Sequence, residues 1–315
     1  MSIHGPAASV TVSQRCLVAC QESEPSDRLI LLDEERELGV TAGDLGRRIR
    51  RVAGGLEALG HGPGQVLALW APNMPPWAGV LFGAWTAGMA VTPIGVAASD
   101  EEVERQLVET GASVLVAAPG LMPRATALAS RVDVRTIVSL GPAAGAVSIL
   151  SLLESPPLAV SRDDPDATAL LPYSSGTTGG PKAVQLTHRQ LAAVAAQLQS
   201  RLRFDRADVV LGVPPFSHIL GLTGTLTVPL LAGAQVVTLP RFDPRTTLDV
   251  IARRGVTVVI GAPSMVDALA RGVAVHGAET SSVRLVLAGG SALMPDVQAR
   301  ASLAFPRAVV GQGWG

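Results

Sequence analysis

The chain has 315 residues, is 48% hydrophobic, and carries 25 Lys and Arg against 26 Asp and Glu, for a formal net charge of -1. This length suits a large α/β unit or two subdomains, and a near-neutral charge without a concentrated basic face excludes a nucleic-acid partner. The two cysteines, Cys16 and Cys20, have no Cys or His cluster that would complete a metal site, so we expect free thiols.

The N-terminus lacks a basic segment followed by an apolar core, so we expect no secretory signal and a cytoplasmic protein. Two long stretches, one between Glu57 and Asp100 and one between Asp208 and Arg241, contain no charged residue. Prolines and glycines interrupt both of them, and neither gives an unbroken apolar helix of about 20 residues. We therefore expect no membrane span, and read these stretches as buried strands with the helices that cover them.

The first half of the chain predicts alternating helices and strands. Thr41 with Asp44 caps a helix that ends at Gly60. The strand Val66 to Trp70 follows, then a helix that begins with two prolines. After the strand Met89 to Thr92, Ser99 and Glu102 form a capping box for a helix that Gly111 ends, and the strand Ser113 to Ala117 comes next.

After a looser patch rich in Pro, Ala, Gly and Ser (141–165), the alternation resumes. The strand candidates are Ala167–Leu171, Val184–Leu186, Val209–Val213, Ala234–Leu239, Val256–Ile260, Val283–Ala288 and Ala308–Val310. Helix starts are expected near Thr187, with Gln190 completing a capping box, near Thr246, and near Ser264 with Asp267. This order predicts an α/β fold with mostly parallel sheets covered on both faces.

One segment joining two predicted strands concentrates hydroxyl groups, glycines and a lysine. It contains Ser174, Ser175, Gly176, Thr177, Thr178, Gly179, Gly180, Pro181 and Lys182. Glycines let the backbone approach an anion, exposed N–H groups and hydroxyls donate to phosphate oxygens, and the lysine supplies a point charge. The composition therefore predicts a polyphosphate-binding loop.

Two common nucleotide-binding motifs do not fit this segment. A P-loop has a second glycine directly before its lysine and a Mg²⁺-binding hydroxyl directly after it, whereas Pro181 and Ala183 flank Lys182. The chain also has no Rossmann G-x-G-x-x-G. The loop belongs to another class of nucleotide site.

At these residues the chain resembles the signature of the adenylate-forming superfamily, which includes acyl-CoA synthetases, 4-coumarate-CoA ligases, luciferases and nonribosomal adenylation domains. Further stretches are similar to that family in order and spacing. They are Ala71–Pro75, Ala87–Pro93, Pro214–Leu222, Ala288–Leu293 and Gly311–Gly315. The likeness covers nearly all of the chain.

The resemblance implies a carboxylate-CoA ligase that uses ATP, Mg²⁺ and coenzyme A. It implies that residues 174–179 and Lys182 hold the β- and γ-phosphates, and that Lys182 and His218 act in catalysis. The nucleotide would be bound by Gly289, Gly290, Ser291, Gln312, Gly313, Trp314 and Gly315. The acid would be bound by His218, Ile219, Leu220, Leu222 and Gly289, and coenzyme A by Arg241.

Two departures from the family pattern bear on the substrate. Leu220 stands where many coumarate ligases have a tyrosine, and Ser217 stands where an aromatic residue is common. The first departure weakens the case for a phenolic acid, so we expect a small carboxylic acid, aliphatic rather than phenolic.

The resemblance also implies two flavodoxin-like subdomains, one from residues 49–205 and one from residues 1–48 with 206–315. The family's C-terminal domain, with its catalytic lysine, would lie beyond Gly315, so we expect a truncated N-terminal portion that is inactive or weakly active alone. Two alternatives stay open. One is an amino-acid adenylation domain, which would carry an Asp soon after a Phe where Ser217 and His218 follow Phe216. The other is a non-catalytic nucleotide- or acyl-binding module.

Overall fold

The computed structural model describes residues 11–21, 27–174 and 181–313. Within them the helices are α1 (Val12–Gln21), α2 (Ala42–Ala58), α3 (Pro76–Thr86), α4 (Asp100–Thr110), α5 (Met122–Ala129), α6 (Ile149–Glu154), α7 (His188–Leu202), α8 (Val228–Leu231), α9 (Pro244–Arg254), α10 (Pro263–His276) and α11 (Pro295–Ala304). A 3₁₀ turn spans Pro119–Leu121 and a π-helix spans Gly221–Thr227.

The strands of the same residues follow in chain order. They are β1 (Leu29–Asp33), β2 (Leu38–Thr41), β3 (Val66–Trp70), β4 (Ala90–Ile94), β5 (Ala112–Ala117), β6 (Thr136–Ser139), β7 (Val147–Ser148), β8 (Thr168–Leu170), β9 (Tyr173–Ser174), β10 (Lys182–Ala183), β11 (Leu186–Thr187), β12 (Val209–Gly212), β13 (Gln235–Thr238), β14 (Val258–Gly261), β15 (Leu285–Ala288) and β16 (Val309–Gln312).

The chain divides into two compact units. The first comprises residues 1–28, 41–72 and 76–201, and the second comprises residues 29–40, 73–75 and 202–315. The subdomains predicted from the sequence were residues 49–205 and residues 1–48 with 206–315. In the structure the whole of α2 belongs to the first unit, where it packs against α1, α3 and α6, and the second unit takes residues 29–40, residues 73–75 and the chain from residue 202 on.

The first unit is built on a seven-stranded sheet in the order β11-β8-β4-β3-β5-β6-β7, parallel except for the pairing of β11 with β8. Apolar side chains that are fully buried fill its interior, among them Trp70, Trp77, Phe82 and Trp85. Trp85 packs edge-on against Phe82 and donates its indole N–H to the carbonyl oxygen of Ala169 at 2.6 Å. This hydrogen bond offsets the cost of removing the indole N–H from water.

The second unit contains a seven-stranded sheet in the order β16-β15-β14-β12-β13-β1-β2. Every pairing from β16 through β1 is parallel. The carboxyl ends of these strands therefore lie at one edge, which is where open α/β sheets bind ligands. Both sheets match the mostly parallel α/β fold predicted from the sequence.

Three of the predicted helix starts, at Thr41, Ser99 and Thr187, are confirmed by their side-chain caps. Glu102 N–H donates to Ser99 at 3.2 Å while Ser99 N–H donates to Glu102, and the same exchange joins Thr187 and Gln190. Thr41 likewise accepts from the N–H of Asp44 at 3.1 Å. These caps satisfy N–H groups that have no partner inside a helix.

Two further helices begin one or two residues before the predicted starts, with different residues in the capping position. The cap near Thr246 is Asp243, which accepts from the N–H of Thr246 at 2.8 Å, and α9 begins at Pro244. Ser264 does not cap α10, which begins at Pro263 with Ala262 in the capping position. In both helices a proline occupies the first position, where its missing N–H costs nothing.

The looser patch at 141–165 contains β7 and α6. Cys16 and Cys20 are buried free thiols on α1, as expected. Among the residues that the structure describes, no helix combines the length and the apolar character needed to cross a bilayer.

Candidate functional site

The predicted phosphate-binding loop starts and ends on an antiparallel pair of strands. β9 pairs with β10, with Ser174 opposite Lys182 and Tyr173 opposite Ala183. This confirms that the segment joins two strands, and it places Lys182 at one base of the loop with an exposed side chain. The predicted residues Ser175, Gly176, Thr177, Thr178 and Gly179 lie outside the described residues.

One side chain of this hairpin is hydrogen-bonded to α4. The hydroxyl of Tyr173 donates to the carboxylate of Glu109 at 2.7 Å. Burial, with the neighbouring Glu109 carboxylate, raises the pKa of Tyr173 well above its ordinary value, so the phenol stays protonated and remains a donor. The hairpin that carries Ser174 and Lys182 is thereby fixed to a helix of its own unit.

In the second unit, the segment after β12 carries His218 in a compact turn. The N–H of His218 donates to the carbonyl oxygen of Pro215 at 2.9 Å, and the N–H of Leu222 donates to the carbonyl oxygen of His218 at 2.9 Å. Phe216 anchors the turn because its side chain is fully buried, whereas His218 is exposed. The turn thus holds an imidazole at the surface on a rigid support.

The ring of His218 has a defined orientation. The N–H of Leu220 lies 3.3 Å from Nδ1 of His218, so Nδ1 acts as the acceptor. A neutral imidazole that accepts at Nδ1 carries its proton on Nε2. His218 therefore presents an N–H donor, suited to a carboxylate or phosphate oxygen, on the other side of the ring.

A π-helix, Gly221–Thr227, follows this turn directly. Such segments are rare and occur most often beside functional sites. At its start, a Cβ on Gly221 would lie 2.5 Å from the carbonyl oxygen of Pro214 and closer still to that of Pro215. Only glycine fits there, which is why the Pro-Pro turn can fold back onto the π-helix.

The predicted nucleotide residues gather at the carboxyl ends of β15 and β16. Gly289 N–H donates to the carbonyl oxygen of Gly261 at 2.9 Å, and Gly313 N–H donates to that of Ala288 at 2.8 Å. The side-chain amide of Gln312 accepts from Leu293 N–H at 3.1 Å. Gly290 has a φ of 85°, a left-handed conformation that favours glycine. Gln312 thereby fixes the loop that carries Gly290 and Ser291, which are both exposed.

Leu220 brings the two predicted regions together. Its Cδ1 and Cδ2 atoms lie 3.4 and 3.5 Å from the position that a Cβ on Gly289 would take, and Gly313 O lies 3.3 Å from it. The predicted acid-binding segment and the predicted nucleotide-binding strand end therefore lie side by side at Gly289. Ile219 is 37% exposed, whereas Leu222 is only 1% exposed and packs in the interior.

Arg241 lies apart from this group. It is exposed and follows β13, and β12 and β14 separate β13 from β15 in the sheet. The structure therefore places Arg241 at the same edge without bringing it to Gly289. Trp314 and Gly315 lie outside the described residues. Within the described ranges, no group of three or more His, Cys, Asp or Glu side chains could hold a metal ion.

Asn73 was not predicted as a site residue. Its side-chain amide binds the backbone of residues 212–216, which begin the turn that carries His218. The sequence contains one signal for this role. It is the polar Asn73 between Pro72 and Met74, in a segment that was noted only for its likeness to the family. Tyr173 was also missed as a positioning group, although it is the only tyrosine of the chain.

Comparison with known families and proteins gives a consistent result. A family model described as AMP-binding enzyme matches residues 19–315. The chain is 31% identical over 312 residues to 4-coumarate--CoA ligase 3 of Oryza sativa subsp. japonica, covering 98% of the chain and 56% of that relative. It is 31% identical over 299 residues to the 4-coumarate--CoA ligase of Pinus taeda, covering 93% and 56%. The chain thus spans about half the length of these relatives.

Solved structures share the fold. A red-emitting luciferase from Phrixothrix hirtus superimposes with a TM-score of 0.89 at 20% identity, covering 98% of this chain and 78% of the luciferase. MatB from Rhodopseudomonas palustris, solved with ATP bound, superimposes with a TM-score of 0.83 at 25% identity, covering 97% and 60%.

Proposed function

This chain belongs to the family of AMP-binding enzymes, and from that premise we propose that it is part of an ATP-dependent carboxylate-CoA ligase. The observation that carries the proposal is the close approach of Leu220 to Gly289, because it puts the His218 segment beside the predicted nucleotide residues. An enzyme that joins a carboxylate to a nucleotide needs these two regions adjacent.

The proposed reaction has two steps. A carboxylate oxygen attacks the α-phosphorus of ATP, the bond to the β-phosphate oxygen breaks, and acyl-AMP and pyrophosphate form. The sulfur of coenzyme A, which loses its proton, then attacks the acyl carbonyl, and AMP leaves with the bonding electron pair. The first step needs the attacking and leaving oxygens in line and their charge compensated, and the second needs the sulfur beside the acyl carbonyl; positioned donors and cations serve both.

We assign roles to the residues of this chain accordingly. Lys182 and the loop from Ser174 would bind the β- and γ-phosphates, with Lys182 compensating charge on the leaving pyrophosphate. The Nε2–H of His218 would donate to the carboxylate and orient it. Gly289, Gly290 and Ser291 follow the carboxyl end of β15, the edge where open α/β sheets bind ligands, and would bind the adenine ring.

Magnesium and coenzyme A take a smaller part in this assignment. Mg²⁺ is usually held by one or two carboxylates together with substrate phosphates, so its binding needs no cluster of protein ligands. It would neutralise phosphate charge when bound. Arg241, exposed beyond β13, is the proposed contact for a phosphate group of coenzyme A.

The substrate is a carboxylic acid. Leu220, half-buried and apolar where a phenol could otherwise find a hydrogen-bond partner, favours an aliphatic acid. The names of the relatives compared above give this preference no support, because 4-coumarate is a phenolic acid. A substrate panel must therefore contain both classes.

The test combines nucleotide binding with pyrophosphate exchange. Isothermal titration of the 315-residue chain with ATP should show binding, and Lys182→Ala should weaken it while Lys182→Arg largely preserves it. Exchange of labelled pyrophosphate into ATP should then be measured on this chain and on any longer form encoded with it, and in the longer form it should be driven by hexanoate or 4-coumarate. Absence of ATP binding would refute the proposal, and exchange driven by amino acids would replace it with amino-acid adenylation.

A further inference from the structure

Asn73 is almost fully buried, with 5% of its surface exposed, and its side chain makes four hydrogen bonds to one stretch of backbone. Its Nδ2 donates to the carbonyl oxygens of Gly212 at 2.9 Å, Val213 at 3.2 Å and Pro214 at 2.8 Å. Its Oδ1 accepts from the N–H of Phe216 at 2.8 Å. Both the NH₂ group and the carbonyl oxygen of the Asn73 side chain are therefore hydrogen-bonded to residues 212–216.

These bonds hold the backbone in a shape that it would not keep unaided. Three successive carbonyl oxygens, from residues 212 to 214, point toward one site, and their partial negative charges repel each other. The NH₂ group of Asn73 offsets this repulsion with two donors shared among three acceptors. Because the group is buried, water cannot readily replace it, and its loss would leave polar atoms without partners.

The geometry of this stretch is transmitted to His218 in two short steps. Pro214 and Pro215 turn their carbonyl oxygens toward Gly221, and the Pro215 oxygen also accepts from His218 N–H. The ring of His218 is then oriented by the bond from Leu220 N–H to Nδ1. A shift of the 212–216 backbone must therefore move the start of the turn that fixes the ring.

We propose that Asn73 is a positioning residue for the acid-binding step, holding residues 212–216 so that His218 keeps its Nε2–H tautomer and its orientation. The role in acid binding rests on the proposed function; the effect on the tautomer does not. Asn73 acts through His218 and is not itself placed against substrate. A merely structural role would predict a loss of stability alone, without any change in the imidazole.

The experiment uses the 315-residue chain labelled with ¹⁵N at histidine, at a pH high enough to keep imidazoles neutral. His218→Gln identifies the His218 signals among those of the five histidines. The ring ¹⁵N shifts report which nitrogen carries the proton. The variants are Asn73→Ala, which removes all four bonds, and Asn73→Asp, which keeps the size and an acceptor for Phe216 but removes the donors.

A matched control lies in the same unit. Thr280 is 5% exposed and donates to the carbonyl oxygen of Ala304 at 2.7 Å. It precedes β15, whereas Gly212 ends β12, so the two sites lie at opposite edges of the parallel sheet. Thr280→Val should lower the melting temperature through one lost buried bond and leave the His218 tautomer unchanged.

We expect wild type and Thr280→Val to show a dominant Nε2–H tautomer, and Asn73→Asp and Asn73→Ala to show a mixture. Affinity for the acid that drives exchange, hexanoate or 4-coumarate, should fall about tenfold in the Asn73 variants while ATP affinity stays unchanged. A folded Asn73 variant with an unaltered tautomer would overturn the inference, even if ATP binding upheld the proposed function. If Asn73→Ala does not fold, Asn73→Asp decides. Failure of the wild type to bind ATP would refute the proposed function, and the tautomer result would stand apart from it.

Discussion

Replacing Gly221 with alanine should destabilise the second unit substantially. The new Cβ would lie 2.5 Å from the carbonyl oxygen of Pro214 and nearer still to that of Pro215, where real Cβ atoms keep at least 3.0 Å. Both oxygens are engaged, the first by Asn73 Nδ2 at 2.8 Å and the second by His218 N–H at 2.9 Å. The alanine cannot be accommodated without moving backbone that two hydrogen bonds hold in place.

The cost can be worked from these contacts. Overpacking costs about 1–3 kcal/mol, and weakening two hydrogen bonds adds about 0.5–1.5 kcal/mol each, with the two effects overlapping. We expect a loss of roughly 2–4 kcal/mol in the free energy of unfolding, which lowers the melting temperature by about 5–15 °C.

Differential scanning calorimetry of Gly221→Ala measures this loss. The control is Gly311→Ala in the same unit, where no atom lies within 4 Å of the added Cβ and the change should be within about 1 kcal/mol. Equal melting temperatures for Gly221→Ala and Gly311→Ala would refute the steric argument, because they would show that the turn at Pro214 and Pro215 can move freely.

Three other changes give distinct expectations. Lys182→Ala should weaken ATP binding by about tenfold through loss of one charged contact and leave adenosine binding unchanged; equal ATP affinities in calorimetric titrations would contradict the phosphate assignment. Burial raises the pKa of Asp208, but hydrogen bonds from Arg284 and Thr257 outweigh burial and leave the pKa below its ordinary value. The Asp208–Arg284 pair therefore stabilises the folded state above about pH 3.9, and this contribution is lost as the pH falls through the folded-state pKa of Asp208. Arg284→Ala should therefore lower the free energy of unfolding by about 2 kcal/mol at pH 7, a value reduced from that of a fully buried pair because the Arg284 side chain is 39% exposed. In urea unfolding, the difference between the variant and wild type should shrink near pH 3. A difference that stays constant with pH would contradict this role of the pair. Tyr173→Phe should speed amide hydrogen exchange at β9 and β10 without a large change in melting temperature. Glu109→Gln should have a smaller effect, since the neutral amide can still accept the hydrogen bond from the Tyr173 hydroxyl. Unchanged exchange in Tyr173→Phe would show that α4 does not hold the hairpin.

Local signals in the sequence predicted much of the fold. The capping boxes at Ser99 and Thr187 were found because both partners lie three residues apart, so the pattern is visible without tertiary information. The starts near Thr246 and Ser264 were misplaced because a hydroxyl residue was weighted above the proline that precedes it. Strands β1 and β2 were not predicted, since each is only four or five residues long and such short runs give a weak periodic signal.

The candidate site could be predicted only in part. Motif order predicts His218, Gly289 and Gln312 as site residues, and the structure places these segments at one sheet edge. The support from Asn73 to residues 212–216 could not be derived, because up to 143 positions separate the partners along the chain. Neither could the tautomer of His218, which depends on one backbone N–H in a turn whose shape Asn73 sets.

The pairing of β1 with β13 has a consequence for synthesis. The hydroxyl of Thr238 donates to the carbonyl oxygen of Leu32, and these residues are 206 positions apart. At about 5–20 residues per second on the ribosome, roughly 10–40 s pass between the synthesis of one strand and its neighbour. During that interval the apolar strand Leu29–Asp33 lacks β13, one of its two neighbours in the sheet, and its open edge can associate with other chains. Slower initiation or a lower growth temperature should therefore raise the soluble yield more than any change at the surface of the folded protein.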